Sequence, residues 1–139
     1  MHRIVLSTII IDAPSDDYSA TTDFWAGALD AQAVHPRGAP DYRILDGASA
    51  DLRVVVQQVH QGSAGVHLDI HTDDLDAEVE RLVGLGATVV DASFKDHPGQ
   101  WVIMADPAGK QFCVVNALNP LRAQADRDAF ERKAKAVSP

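Results

Sequence analysis

The chain repeats itself once, and that repeat limits the folds open to it more than any other feature. Asp16-Asp17-Tyr18 stands 57 residues before Asp73-Asp74-Leu75, and Leu29-Asp30-Ala31 stands 56 before Leu85-Gly86-Ala87. A duplicated period of this size means one supersecondary unit used twice. The second copy has the cleaner signals. Val66 to His71 alternates apolar and polar residues, the period of a half-buried strand. Thr72-Asp73-Asp74 supplies caps for a helix, and Asp76 and Glu78 fall in its first turn, where the helix dipole favours acids. Leu75, Val79, Leu82 and Leu85 form an amphipathic stripe, and Gly86 ends it. Strands are expected over 87–91, 101–105 and 111–117, with a loop over 95–100 and a turn at Asp106-Pro107-Ala108-Gly109. The resulting order is βαβββ.

The first copy reads the same way. It has a strand over 3–12, a capping run Pro14-Ser15-Asp16-Asp17 and a helix carrying Tyr18, Phe24, Trp25 and Leu29. A short strand over 31–35, the breaker run Pro36 to Pro40 and a hairpin of 42–46 with 52–59 follow. A ferredoxin-like βαββαβ order fits less well, because three strands follow each helix. After residue 117 the pattern stops: Asn119-Pro120 breaks the chain, and Leu121 to Ala136 reads as a charged, Ala-rich helix anchored by Leu121 and Phe130.

Composition narrows the function classes. A chain of 139 residues can bury about two-thirds of its unfolded surface, so it folds without metal or disulfide. The net charge is −8 and no basic patch stands out, which argues against nucleic acid and anionic membranes as partners. The longest apolar run, Ile4 to Ile11, is far too short for a membrane span. Lone Cys113 excludes an intrachain disulfide and a Cys-rich zinc cage. No small-residue cleavage site follows the Ile4–Ile11 run, so no signal peptide is read and a reducing, cytoplasmic compartment is the default expectation. No Gly-x-Gly-x-x-Gly, Gly-x-x-x-x-Gly-Lys-Ser/Thr, Gly-x-Ser-x-Gly or His-Glu-x-x-His string occurs, so nothing suggests a nucleotide cofactor or those hydrolytic centres.

Several strings carry a family likeness. They are Phe24-Trp25-Ala26-Gly27-Ala28-Leu29, Val66-His67-Leu68-Asp69-Ile70 followed by Asp73-Asp74-Leu75, then Leu85-Gly86-Ala87, and Asp106-Pro107-Ala108-Gly109 with Phe112-Cys113-Val114-Val115. In this order and spacing, residues 3 to 117 resemble the vicinal-oxygen-chelate superfamily (glyoxalase I, bleomycin-resistance proteins, extradiol dioxygenases), and within it the glyoxalase-like branch. The expected fold class is α+β: two tandem βαβββ modules forming a cup-like curved mixed sheet with helices outside. A single domain is expected over 1–117, made of a first module 3–59, a linker 60–65 and a second module 66–117. A helical tail over 118–139 follows. The resemblance also implies a homodimer.

In metal-bearing members of the superfamily, each module gives one ligand from its first strand, usually His or Gln, and one from its last, usually Glu. The resemblance puts His67 at the first-strand position of module two, but Cys113 stands where the last strand usually has Glu. In module one the candidates are Ser7 or Thr8 on the first strand and Gln57 or Gln58 on the last. This set is one imidazole, one thiol and neutral oxygens, whereas hard cations want carboxylates and zinc wants three or four good protein ligands. No resident cofactor is therefore expected, with a divalent metal held through His67 as the alternative.

Period-two geometry sharpens the site. His67, Asp69 and His71 share one strand face, and Val66, Leu68 and Ile70 share the other, which should meet the Leu75-Val79-Leu82 stripe. The polar face then points into the cup as an acid/base or ligand row. Gln111, Cys113 and Val115 share a face on the closing strand. Cys113 thus lines the cup, either as a thiolate lowered by a nearby cation or as a small hydrophobe. Trp101 is a stacking wall or an ordinary core tryptophan, and the 95–100 loop with His97 and Pro98-Gly99 is a candidate lid. The candidate ligand-binding set is His67, Asp69, His71, Gln57, Cys113 and Trp101, with His67 as the metal candidate. The expected function is binding of a small organic molecule in the cup without a complete catalytic metal site. The alternatives are a metal-dependent lyase, isomerase or dioxygenase, and a scaffold whose cup is filled by its own side chains.

Overall fold

The computed structural model describes residues 1–138. They divide into two compact units, residues 8–68 and residues 1–7 with 69 onward. Strand β1 (Arg3–Pro14) gives its residues from Thr8 on to the first unit. That unit continues with α1 (Tyr18–Ala28), β2 (Gln32–Val34), β3 (Tyr42–Asp46) and β4 (Arg53–Val59). The strands lie side by side as β2-β3-β4-β1, with the first two pairings antiparallel and β4–β1 parallel. Parallel pairing needs a crossover, and α1 supplies it.

The second unit repeats this plan. It holds the end of β5 (Gly65–Thr72), then α2 (Leu75–Gly84), β6 (Thr88–Asp91), β7 (Trp101–Ala105) and β8 (Gln111–Asn116). Its order is β6-β7-β8-β5, again antiparallel, antiparallel, parallel. The α+β class and the two βαβββ repeats expected from the sequence are therefore the architecture of the chain. The repeat extends to single rungs: Asp12 pairs with Gln57 on β1–β4, and Asp69 pairs with Cys113 on β5–β8.

Each helix covers one face of its own sheet. In the first unit, Ala13, Tyr18, Leu45, Val54 and Val56 form the core, with Ile11, Trp25, Ala26 and Leu29 packed around them. The opposite face of β1 and β4 therefore carries Ile10, Asp12, Val55 and Gln57. Phe24 on the same helix is 63% exposed and meets Trp25 edge-on. In the second unit Val102, Met104 and Val114 pack against Leu75, Val79, Leu82, Ala87 and Phe112. The helix stripe thus finds β7 and β8 rather than the start of β5, and Val66 and Leu68 stay 45% and 42% exposed.

The helix ends show both the likeness and its limits. At α2 the Asp74 side chain caps Ala77 N–H at 3.0 Å, as the sequence predicts. At α1 a 3-10 turn over Ser15–Asp17 leads in, Asp17 already has helical backbone angles, and no side chain caps. Both helices close alike: Ala31 N–H donates to Ala26 O at 2.8 Å, and Ala87 N–H to Leu82 O at 3.0 Å. That closure needs a left-handed residue. Gly86 (φ 109°) provides it in the second copy, but Asp30 (φ 49°) must provide it in the first.

The C-terminal segment differs from the single helix expected over 121–136. Helix α3 spans Gln124–Lys133, and the two-residue strand β9 (Lys135–Ala136) pairs antiparallel with Ile4 and Arg3. Phe130 is 2% exposed, whereas Leu121 is 75% exposed and anchors nothing. Arg3 ties this region together. Its backbone N–H and Nε donate to Asp73 at 2.7 and 2.8 Å, its Nη1 donates to Glu131 at 2.8 Å, and its guanidinium lies 5.3 Å from the Phe130 ring centre.

Glu78, read as a first-turn charge, is instead fully buried. His2 Nε2 lies 2.7 Å from Glu78 Oε2, and Arg81 Nε and Nη2 each donate to the carboxylate at 2.8 Å. Burial pushes the Glu78 carboxyl up, but the bonds from Arg81 and His2 outweigh it and hold it below the usual glutamate range. Among the described residues, no helix is long and apolar enough to cross a membrane.

Two outcomes follow from these contacts. Asp30→Gly relieves a left-handed aspartate, so thermal denaturation should show a gain of about 1 kcal/mol. A carboxyl lowered on folding stabilises at pH values above its unfolded value and loses that contribution as pH falls. Glu78→Gln should therefore cost about 3 kcal/mol or more at neutral pH. That gap should shrink in urea titrations run at pH values falling below 4.5, the ordinary glutamate value.

Candidate functional site

The polar face of the first unit carries a row of side chains across three rungs of sheet. Tyr42 sits opposite Gln57 on β3–β4, and Gln57 sits opposite Asp12 on β4–β1. Gln57 Nε2 donates to Tyr42 Oη at 3.2 Å. At the other end His67 Nδ1 lies 2.7 Å from Asp12 Oδ2, with both side chains mostly buried. Among the described residues Asp12 Oδ1 is buried and meets no hydrogen-bond partner. A carboxylate accepts through both oxygens, so its single bond to His67 leaves acceptor capacity beside the ring. Of the residues singled out from the sequence, His67 and Gln57 belong to this row.

Asp12 and Tyr42 were not singled out. The 57-residue offset that relates Asp16-Asp17 to Asp73-Asp74 also relates Asp12 to Asp69, so the signal for Asp12 was present. It was obscured because the strand runs on to Pro14, past the apolar run. Nothing local marks Tyr42, which is defined by its rung.

The second unit gathers the other candidates. Asp69 and Cys113 are partners on β5–β8, and the next rung along this face joins His71 to Val115. Trp101 pairs with Val115 from the far side of β8. His71 is buried and Cys113 half-buried. Trp101 is held by aromatic neighbours: Phe94 stacks on it at 4.5 Å with planes 12° apart, and His97 meets it at 4.6 Å and 66°. The loop read as a lid is tied down in the same place. Asn116 Nδ2 donates to Gln100 Oε1 at 2.6 Å, Asn119 donates to Pro98 O, and Lys95 pairs with Asp76. Trp101 is thus half-buried, with Phe94 stacked on it and His97 meeting it at an angle.

An open cleft of about 580 Å³ lies within the first unit. Ile11, Asp12 and Pro14 of β1, Ala20, Phe24 and Trp25 of α1, and Val66 line it, among others. The exposed Phe24 and Val66 noted above are two of its walls.

The superfamily's metal can be tested against these residues. The equivalent rungs Asp12–Gln57 and Asp69–Cys113 equate His67 with Ile10, not with the Ser7 or Thr8 expected from the sequence, and Ile10 is 4% exposed and has no donor atom. The matching last-strand positions carry Gln57, a neutral amide, and Cys113, a thiol, where a hard cation would want carboxylates. His67 has Nδ1 against Asp12, which leaves Nε2 as its one ligating atom. An oxygen-rich hexacoordinate ion does not fit this donor set.

Residues 8–115 match the glyoxalase-like domain family, and the chain belongs to it. The vicinal-oxygen-chelate resemblance read from the sequence is thus sustained. Solved structures sharing the fold include the hypothetical protein BH1468 from Bacillus halodurans C-125, with 11% identity and a TM-score of 0.63 over 86% of this chain and 99% of that one. A chain described as NAD-dependent benzaldehyde dehydrogenase from Legionella pneumophila has 11% identity and a TM-score of 0.60 over 78% and 96%. Methylmalonyl-CoA epimerase from Mycobacterium tuberculosis has 16% identity and a TM-score of 0.52 over 80% and 86%. At such identities the likeness establishes the fold alone. No curated protein matches the chain.

The aromatic cluster yields a direct test. A Cβ on Gly99 would come within 2.7 Å of the Trp101 ring, which Phe94 and His97 already hold. Gly99→Ala should cost about 1–3 kcal/mol through overpacking and shift the tryptophan emission. An unchanged spectrum and melting temperature would show that the cluster is loose.

Proposed function

We propose that the chain binds a small organic molecule on the polar face of its sheet and does so without the superfamily's catalytic metal. The observation that carries this reading is the donor set: Ile10, Gln57 and Cys113 occupy the strand positions where the superfamily resemblance implies metal ligands. The Asp12–His67 pair supports the same reading. It offers a ligand an imidazole held in place by a mostly buried carboxylate, which suits a molecule bearing a hydroxyl, amine or amide. Asp69, His71 and Cys113 are a candidate set of their own on the second repeat, with Trp101 braced by Phe94 and His97. Family membership alone does not choose a reaction, because one fold hosts many chemistries.

A thermal-shift screen of the untagged protein, with metals in one arm and organic ligands in the other, tests the proposal. A ligand at a hundredfold excess over its Kd raises stability by about 2.7 kcal/mol. The expected result is a shift with an organic compound that His67→Ala and Asp12→Asn both diminish, and no stoichiometric metal by elemental analysis. A stoichiometric metal lost in His67→Ala would overturn the reading in favour of a metal-dependent lyase, isomerase or dioxygenase.

A further inference from the structure

Ser15, His60 and Asp41 take no part in the polar row, yet they form a constellation of their own within residues 8–68. Ser15 Oγ lies 3.3 Å from His60 Nδ1, and His60 Nε2 lies 3.0 Å from Asp41 Oδ1. Asp41 is itself fixed. Gln58 Nε2 donates to Asp41 Oδ1 at 2.8 Å, and the Gln58 backbone N–H donates to Asp41 O at 2.7 Å. The bond from Gln58, and then that from His60, hold the Asp41 carboxyl below the usual aspartate range. An ionised carboxylate only accepts, so His60 Nε2 carries the ring proton. Nδ1 then turns its lone pair to the Ser15 hydroxyl. Nucleophile, base and orienting acid are thus connected in the order that serine hydrolysis requires, with Nδ1 rather than Nε2 facing the nucleophile.

The position of Ser15 adds a substrate cavity. Pro14, directly before it, and Asp17, two residues after it, line the 580 Å³ cleft, whose further walls include Ile11, Phe24, Trp25 and Val66. The charged side chains in that lining are Asp12 and Asp17. Such a cleft accepts an apolar, uncharged group and repels a carboxylate or phosphate. Proline at 14 and the 3-10 turn over Ser15–Asp17 fix the backbone that presents the hydroxyl. The His60 side chain is 63% exposed, so water reaches the same base.

We propose that Ser15 is the nucleophile of an ester-cleaving site at the rim of this cleft, with His60 as general base, Asp41 as the orienting group and a neutral apolar acyl group held in the cleft. Ser15 Oγ forms a bond to the ester carbonyl carbon as its proton moves to His60 Nδ1. The bond from that carbon to the alcohol oxygen breaks, and the leaving alcohol takes the proton from His60. Water then attacks the acyl-serine, His60 accepts its proton and returns it to Ser15 Oγ, and the carboxylic acid departs. The balance is hydrolytic and needs no oxidant or metal.

The test uses the full chain with 4-nitrophenyl butyrate. The expected result is hydrolysis with one butyryl group per chain, located by peptide mass mapping on Ser15. Ser15→Ala should lose the adduct and at least about 100-fold in rate, the scale of a positioned general base. His60→Ala and Asp41→Asn should show comparable losses. His35→Ala, which removes an exposed histidine outside both sites, should keep the parental rate. Melting temperatures of each variant separate lost chemistry from lost fold. Any of three results would overturn the proposal: no hydrolysis by the parent chain, a folded Ser15→Ala chain that hydrolyses at the parental rate, or an adduct confined to a histidine or lysine.

Discussion

Parallel pairing between the first and last strand of each repeat is the constraint on which the rest depends. β1 pairs with β4 and β5 with β8 in the same sense, and each pair encloses a helix and two further strands. The register of those pairs sets which chemistry each face carries. A slip of one residue would turn Asp12 toward α1 and Ile11 toward the polar face, so burying Ile11 and Ala13 under the helix fixes the position of Asp12. The Asp12–Gln57 and Asp69–Cys113 rungs are therefore consequences of packing on the opposite side of the sheet.

Ion pairs finish what the sheet begins. In the second unit Glu78, His2 and Arg81 form a buried cluster, and Arg3 joins Asp73 to Glu131. These bonds hold the first residues of the chain and helix α3 to one compact body, where β9 adds two rungs to β1. A buried carboxylate is tolerated only when its oxygens are fully answered, and here a bidentate arginine and an imidazole answer them. The acidic excess of the chain is thus partly structural, because Asp73 and Glu78 are paired inside the fold rather than displayed to a partner.

The polar surfaces have a different logic. The rungs equivalent by the repeat carry Asp12 with Gln57 in one copy and Asp69 with Cys113 in the other. The first unit has a carboxylate–imidazole pair and a tyrosine–glutamine rung. The same unit carries Ser15, His60 and Asp41 beside a cleft. Both arrangements use histidine oriented by aspartate, and both draw on the segments around β1 and the end of β4.

Local pattern made much of this legible in advance. The repeat, the amphipathic stripe of α2, the Asp74 cap, the Gly86 stop and the family likeness are all properties of short stretches. Hydrogen bonding and side-chain period act over a few residues, so the sequence alone determined two βαβββ repeats of a glyoxalase-like α+β fold, with His67 on a strand face opposite Val66 and Leu68. Tertiary structure alone decided what lay across strands. Asp12 meets His67 over 55 residues of chain and His2 meets Glu78 over 76. Ser15, Asp41 and His60 come from three separate segments, and the terminal residues became a strand by finding Arg3 and Ile4. Such contacts depend on register and on how the chain crosses itself, which arise only when distant apolar faces compete for the same burial.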